Sequence, residues 1–334
     1  MKKSYYLFNP GRMSRKDNTL KFIPVDADGR EGPAKYLPVV GIDNLYCFGA
    51  LDANSALYNF LGKNGISVHF FDYYEHYSGS FMPKDYLLSG KVIIEQSKAY
   101  SSTKRRMEIA HKFVEGAAAN ILRNLKYYQS RGRELTSYID QIAQLDEERR
   151  NATGIDELMG WEGNIRQVYY DAFGEIVPGF EMGNRTKQPP SNEINALISF
   201  CNMMCYTLCL DQIYHTQLNP TISYLHEPGY RRYSLALDIA EIFKPILVDR
   251  LIFSLLNKKV LSERDFDKKL NYCLLNESGK KKVLKDWEER LSQTIKHRKL
   301  NRSVSYKHLV KLEVYKLIKH IMKIEEYKPF KAWW

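Results

Sequence analysis

Four side chains in this sequence stand out as candidates to bind a hard divalent cation. His226 stands before a Pro/Gly/Arg turn in HEPGYRR, and the run that follows, SLALDIAEIFKP, sets Asp238 and Glu241 three residues apart, on one face of a predicted helix. That helix is otherwise apolar, with Leu235, Leu237, Ile239, Ile242 and Phe243 at core spacing. A carboxylate on a buried helix is costly unless it is hydrogen-bonded, ion-paired or bound to metal. A distant acid, Glu162, lies between small residues in GWEG, where the pattern predicts the beginning of a helix. Taken singly, Glu162 reads as a first-turn acid favoured by the helix dipole and His226 as a hydrogen-bonded turn residue. Taken together, one histidine and two or three carboxylates match Mg²⁺ or Mn²⁺ better than structural zinc, and the histidine favours Mn²⁺ of the two. Ion pairing of the acids with Arg166, Arg231 and Arg232 is the competing reading of the same residues.

Other chemistries lack their signatures. The sequence has no HExxH, no CxxC pair, no P-loop and no GxSxG elbow. Cys201, Cys205 and Cys209 recur every four residues, but their neighbours Met203, Met204, Tyr206 and Leu208 are core types, so they read as buried, reduced thiols. With Cys47 and Cys273 the cysteine count is odd, unlike a secreted disulfide framework.

Two kinds of element must position these groups. Residues 4–82 alternate short aromatic and β-branched runs (SYYLFN, TLKFIPV, KYLPVVGI, LYCFG, ISVHFFD, GSFM) with Asn, Gly, Asp and Pro, interrupted by one helix in ANSALYNFLGKNG. From about Leu87 the recurrence becomes helical almost to the end. The expected fold class is therefore α+β: a small β-rich domain over residues 1–84 and a larger all-α domain over 85–334. GIDELMGWEGNIRQVYYDAFGEIV reads as two short helices, the second carrying Glu162, and Ser191 or Asn192 is the expected N-cap of a helix running to about His215.

At 334 residues, with 44% apolar and 13% aromatic content, the chain is long and apolar enough for a sizeable core. The N-terminal residues turn polar too early for a signal peptide and no stretch reads as a membrane span, so a cytoplasmic location is expected. Fifty Lys and Arg against thirty-nine acids give a formal charge of +11, which favours a polyanionic partner. The excess concentrates in residues 278–324, where Lys307, Lys311, Lys319 and Lys323 are expected to form a stripe opposite Leu309, Leu312, Leu317, Ile318 and Ile321. That stripe is either a solvated helix face or a track that neutralises duplex phosphates.

Several segments also carry a family resemblance that spans essentially the whole chain. Gly160, Glu162 and Gly163 followed by Arg166 and Tyr169, NRTKQPPSNEINALIS over 184–199, HEPGYRRYSLALDIAEIFKP over 226–245, and the ending EEYKPFKAWW resemble the CRISPR-associated spacer-integration endonuclease, the universal integrase subunit of CRISPR adaptation, in its type I-B branch. The resemblance implies metal ligation by Glu162, His226 and Glu241, with Asp238 as a neighbouring catalytic acid and Asn195, Arg231 and Arg232 in support. Arg166, Arg231, Arg232, Lys307, Lys311 and Lys319 are the candidate DNA contacts. It implies transesterification by a DNA 3′-hydroxyl that joins spacer DNA into a repeat array, or hydrolysis when water attacks instead. It further implies double-stranded DNA as substrate, a homodimer formed through the β-rich domain, and a small CRISPR-associated adaptation partner that completes a heterohexamer. Without the resemblance, the residues support metal-dependent phosphodiester chemistry, with a non-catalytic helical DNA-binding scaffold and an RNA-processing nuclease as alternatives.

Overall fold

The computed structural model describes residues 2–84, 87–179, 182–183, 185–186, 189–230, 232–269, 272–297 and 299–333. The chain separates into two compact units, Met1–Tyr86 and Leu87–Trp334. The α+β expectation holds, with the sheets of the first unit followed by a mainly helical second unit.

In the first unit, strands β1 (Lys3–Leu7), β5 (Ile42–Cys47), β7 (Ser67–Phe71) and β8 (Tyr77–Phe81) form a sheet in the order β1-β5-β7-β8. Its first three strands run parallel and β8 closes it antiparallel. A second sheet has the order β4-β3-β2-β6, from β4 (Lys35–Pro38), β3 (Thr19–Pro24), β2 (Gly11–Lys16) and β6 (Leu51–Asp52). One core joins them: Leu7, Leu45 and Val68 from the first sheet meet Met13, Leu20 and Phe22 from the second and Leu57, Phe60 and Leu61 from helix α1 (Ser55–Lys63). The Asn54 side chain caps α1 by accepting from Leu57 N, and Gly65 ends it at φ +68°, a conformation that favours glycine. Strand β2 is missing from the sequence reading because GRMSRK is charged, although Gly11 and Met13 alternate inward as a strand requires.

The second unit is built on α3 (Thr103–Gln129), which follows α2 (Gly90–Ser101) and packs against α4 (Thr136–Glu148), α5 (Ile155–Asp171) and α8 (Ser234–Phe243). Helix α5 corrects the expectation of two helices around Glu162: it is continuous, with Glu162 in its middle, and only the four-residue α6 (Phe173–Ile176) follows. Gly160 and Gly163 weaken a helix by about 1 kcal/mol each relative to alanine. The buried face of Leu158, Ile165 and Tyr169 offsets that cost. Helix α7 (Glu193–Tyr214) starts at Asn192, whose Oδ1 accepts from Asn195 N. It is apolar on nearly every face and, contrary to the sequence reading, is long and apolar enough to cross a membrane, but 72% of its apolar window is buried inside the protein. That is the signature of a core helix, and its three cysteines, like Cys47 and Cys273, are buried thiols outside any disulfide.

Beyond α9 (Arg250–Asn257) the helical reading fails twice. A hairpin of β9 (Phe266–Lys269) and β10 (Tyr272–Leu275) precedes α10 (Glu277–Ser292), and a second hairpin of β11 (Thr294–His297) and β12 (Arg302–Ser305) precedes α11 (Tyr306–Ile321). Strands of four residues are too short for a period to be read from them.

The contact between α3 and α8 is close at Gly116, where an added Cβ would come within 2.9 Å of Pro329 Cβ and 3.3 Å of Ile242 Cγ1. Gly116→Val is therefore expected to destabilise the second unit by about 1–3 kcal/mol. A thermal unfolding midpoint equal to that of the unsubstituted protein would show that this contact is not tight.

Candidate metal centre

Asp238, fully buried on α8, organises the site. Its Oδ2 accepts from the backbone N–H groups of Tyr224 (2.7 Å) and Leu225 (3.0 Å), and its Oδ1 accepts from His226 N (2.9 Å) and His226 Nδ1 (2.8 Å). Nδ1 thus faces the carboxylate, and in the neutral ring with Nδ1 as donor the lone pair is on Nε2. Burial disfavours the imidazolium, but the hydrogen bond and charge of Asp238 outweigh it and hold the His226 pKa above its ordinary value.

The loop carrying His226 is fastened from the neighbouring helices. Gln96 on α2 donates to the carbonyls of Asn219 and Ile222 (both 2.9 Å) and accepts from Asn219 N (2.9 Å). Arg106 on α3 donates to Tyr224 O (3.0 Å) and to Glu227 (2.6 Å), which also accepts from the Tyr100 hydroxyl (2.6 Å).

Glu241, one turn after Asp238, is held by two cations. Arg166 of α5 donates from Nη2 to its Oε2 (2.7 Å), and the Lys244 ammonium pairs with its Oε1. Burial opposes ionisation, yet Lys244 and Arg166 keep Glu241 well below the usual carboxylate range. Arg166 also lies 3.5 Å from Glu162 and 3.8 Å from Asp249. Burial, reinforced by the charge of Glu241, raises the Glu162 pKa, with Arg166, Lys244 and His226 acting against it. Thus Glu162, Glu241 and His226 feel one another's charge, and Glu162, unlike Glu241, is left short of compensation.

Three residues after Glu241 the backbone departs from the α-helix. Residues Lys244–Asp249 continue α8 as a π-helical segment that includes Pro245, which has no N–H to donate. The carbonyls at this junction are met from α3: Asn120 Nδ2 donates to Ile242 O (2.9 Å), and Asn124 Nδ2 to Pro245 O (2.6 Å) and the Tyr169 hydroxyl (3.0 Å).

The structure thus brings Glu162, Arg166, His226, Asp238 and Glu241 together. Asn195 instead accepts from Arg185 Nη1 (3.0 Å) and Thr186 N (3.1 Å), and Arg232 donates to the Glu227 carbonyl. Arg231, with Asn184, Lys187 and Gln188 of the resembling segments, lies outside the described residues. Lys307 and Lys311 lie on α11, and Lys319 pairs with Glu325 at 3.2 Å. Lys323 falls beyond the helix at φ +59°, so the expected stripe ends before it. Sequence reasoning did not single out Lys244, Asp249, Gln96, Asn120 or Asn124. The spacing of Asn120 and Asn124, four apart on a helix of core residues, was the one readable signal.

As the side chains stand, no three His, Cys, Asp or Glu among the described residues are arranged to hold an ion. The donor set nevertheless suits a divalent cation. Glu162 is a buried carboxylate short of positive charge, and His226 has a lone pair fixed by a carboxylate behind it, the support that ligating histidines ordinarily have. Both Glu241 oxygens are taken by cations, so ligation by Glu241 would exchange one of those pairs.

This architecture has known relatives. A Cas1 protein from Thermotoga maritima shares the fold at a TM-score of 0.85 and 36% identity, over 99% of this chain and 100% of that one. A casposase bound to integration product reaches the same TM-score at 20% identity, over 99% and 93% of the two chains, a likeness of fold. The family model for CRISPR associated protein Cas1 matches residues 5–289. Curated relatives named CRISPR-associated endonuclease Cas1 include one from Fusobacterium nucleatum, 46% identical over 100% of this chain and 98% of its own length. Another, from Moorella thermoacetica, is 50% identical over 99% and 100%. The chain belongs to the CRISPR-associated Cas1 family.

Asp249 offers a test of the site's electrostatics. Burial pushes its pKa up to about 7 against the pull of Arg166 and Lys244. An unfolded aspartate titrates near ~3.9. Between those values the folded state binds the extra proton, so this residue's contribution to stability is present at low pH and is lost as pH rises through about 7. Asp249→Asn should therefore gain stability relative to the unsubstituted protein as pH rises from ~4 to ~7, levelling off above. Denaturant unfolding across that range measures it, and a pH-independent difference would refute the assignment.

Proposed function

We propose that this chain is a metal-dependent DNA endonuclease and integrase of CRISPR adaptation, of the type I-B branch, which inserts spacer DNA by 3′-hydroxyl transesterification. The reading is carried by Glu162 and Glu241 meeting at Arg166, with His226 near enough for its charge to act on both, in a member of the Cas1 family. Glu162, His226 and Glu241 are the ligands and Asp238 is the orienting acid, because its two oxygens already accept four N–H groups.

The residues divide the work. Asp238 orients the His226 ring by its contact with Nδ1, which leaves Nε2 as the nitrogen available for ligation. Arg166 and Lys244 keep Glu241 ionised and supply positive charge beside a scissile phosphate. A bound Mg²⁺ or Mn²⁺ supplies Lewis-acid polarisation of the phosphodiester and offsets charge developing in an in-line displacement. The attacking group sets the outcome: a DNA 3′-hydroxyl joins strands and water cleaves them. The second unit is the catalytic one, and the β-rich unit serves dimerisation. The homodimer binds double-stranded DNA and a small adaptation partner in a heterohexamer, with Arg231, Arg232, Lys307, Lys311 and Lys319 contacting DNA. A chain of the same fold, 16% identical, comes from a Cas6-RT-Cas1–Cas2 complex.

One observation favours a second reading, a DNA-binding scaffold without catalysis: Glu241 is paired with Arg166 and Lys244, as acids that merely neutralise bases would be. The test is strand transfer of a 3′-hydroxyl DNA fragment into a supercoiled repeat-bearing plasmid with Mn²⁺, alongside a matched RNA substrate. Glu162→Ala and His226→Ala should lose more activity than the ~10–100-fold cost of an outer-shell change, with DNA affinity kept. Asp238→Asn should weaken Mn²⁺ binding by ~10–100-fold in a calorimetric titration. Full strand transfer by either alanine variant would sink the proposed site. A protein that binds DNA but neither takes up Mn²⁺ nor cuts or joins it is the scaffold, and action on RNA alone marks the third reading.

A further inference from the structure

Four elements of the second unit bring three guanidinium groups together with tyrosine rings. Arg131 follows α3, Arg250 opens α9 and Arg290 lies in the last turn of α10. Arg131 and Arg250 both stack on the Tyr127 ring of α3, with their Cζ atoms 5.0 and 4.7 Å from its centroid. Arg290 lies 5.4 Å from the ring centroid of Tyr306, the first residue of α11, and its Nε donates to Ile246 O at 2.7 Å. All three arginines act electrostatically on Tyr128, so they form one cluster.

Among the described residues none of these three arginines forms an ion pair with a carboxylate. Other arginines of the unit do: Arg106 with Glu227, Arg149 with Asp146 and Arg166 with Glu241. A guanidinium cannot shed its proton to relieve crowding, so like charges packed on aromatic rings have unmet demand for an anion. The strain is visible at Arg290, whose pKa falls to about 10 through burial and then through the charge of Arg250. Guanidinium forks held on rings are pre-organised for the planar, bidentate recognition of phosphate oxygens. The Tyr127 and Tyr306 faces are already taken by arginines, which suits the backbone of a nucleic acid better than its bases.

We propose that Arg131, Arg250 and Arg290, seated on Tyr127 and Tyr306, form a binding site for the phosphodiester backbone of DNA, separate from the Glu162, His226 and Glu241 cluster. The site rests on the DNA-processing reading above. It holds the substrate without reading its sequence, and it adds a point of attachment outside the basic stripe of α11.

Arg131→Gln combined with Arg250→Gln tests it, in the full chain, by fluorescence anisotropy with a labelled DNA duplex over a range of KCl concentrations. The double variant should bind ~10-fold or more weakly at low salt, and its plot of log affinity against log salt should be shallower by ~1–2 units, about 0.9 for each phosphate that is no longer neutralised. Its thermal midpoint without DNA should equal or exceed that of the unsubstituted protein, because mutual repulsion has been relieved. Unsubstituted protein that binds duplex, with a double variant that matches its affinity and salt slope, removes this site and leaves the DNA reading intact. Unsubstituted protein that binds no duplex removes both. Weaker binding accompanied by a lowered thermal midpoint assigns the arginines a structural role and overturns the proposal.

Discussion

The candidate centre depends on one carboxylate, Asp238, accepting four N–H groups at 2.7–3.0 Å. Three of these belong to consecutive backbone positions, Tyr224, Leu225 and His226, so a single buried side chain stops an irregular segment from fraying and turns its histidine. Such a segment has no ladder of its own to satisfy its amides, and a buried amide without a partner is as costly as a missing hydrogen bond. The acid on the apolar helix, which looks anomalous as a core residue, is what allows the adjacent loop to be ordered beside the core. Gln96 and Arg106 extend the same logic, meeting the carbonyls of Asn219, Ile222 and Tyr224 from helices more than a hundred residues away in sequence.

Charge is distributed unevenly around this point. Arg166 reaches Glu162, Glu241 and Asp249, and Lys244 adds a second cation to Glu241. Several buried acids share few bases, and the imbalance is expressed as opposite shifts: Glu241 is held ionised while Glu162 and Asp249 are pushed up. Buried ion pairs of this kind contribute little net stability, since desolvation offsets much of the attraction. Here they hold Glu162 and Glu241 against one guanidinium. The arginine cluster around Tyr127 shows the reverse imbalance, positive charge without acids. Complementary deficits of this kind are what a metal ion and a polyanionic backbone would supply.

The π-helical segment Lys244–Asp249 links these features mechanically. It begins with Lys244, ends with Asp249 and passes directly into Arg250, so a change of helical winding sets which side each residue takes. Asn120 and Asn124 meet the carbonyls at its start and tie it to α3. Ile246 within it accepts from Arg290, which anchors α10 to the same stretch.

Much of this was legible in the sequence. The β-rich start, the helical remainder, the Asn192 cap and the burial of the cysteines follow from local periodicity and side-chain chemistry, which act over a few residues. That Asp238 and Glu241 need partners was legible because acids on an apolar helix demand one. The partners themselves were not. That Asp238 serves backbone amides and His226 Nδ1 while Glu241 faces Arg166 depends on which way a turn folds back, and the spacing of Asp238 and Glu241 is compatible with either role. The continuity of α5 through two glycines, the short hairpins after α9 and the meeting of Arg131, Arg250 and Arg290 are likewise tertiary outcomes. The sequence by itself determined which groups require neutralisation; only packing across long separations decided which of them meet, because hydrogen bonds and ion pairs are selected by distance in space, to which local pattern is blind.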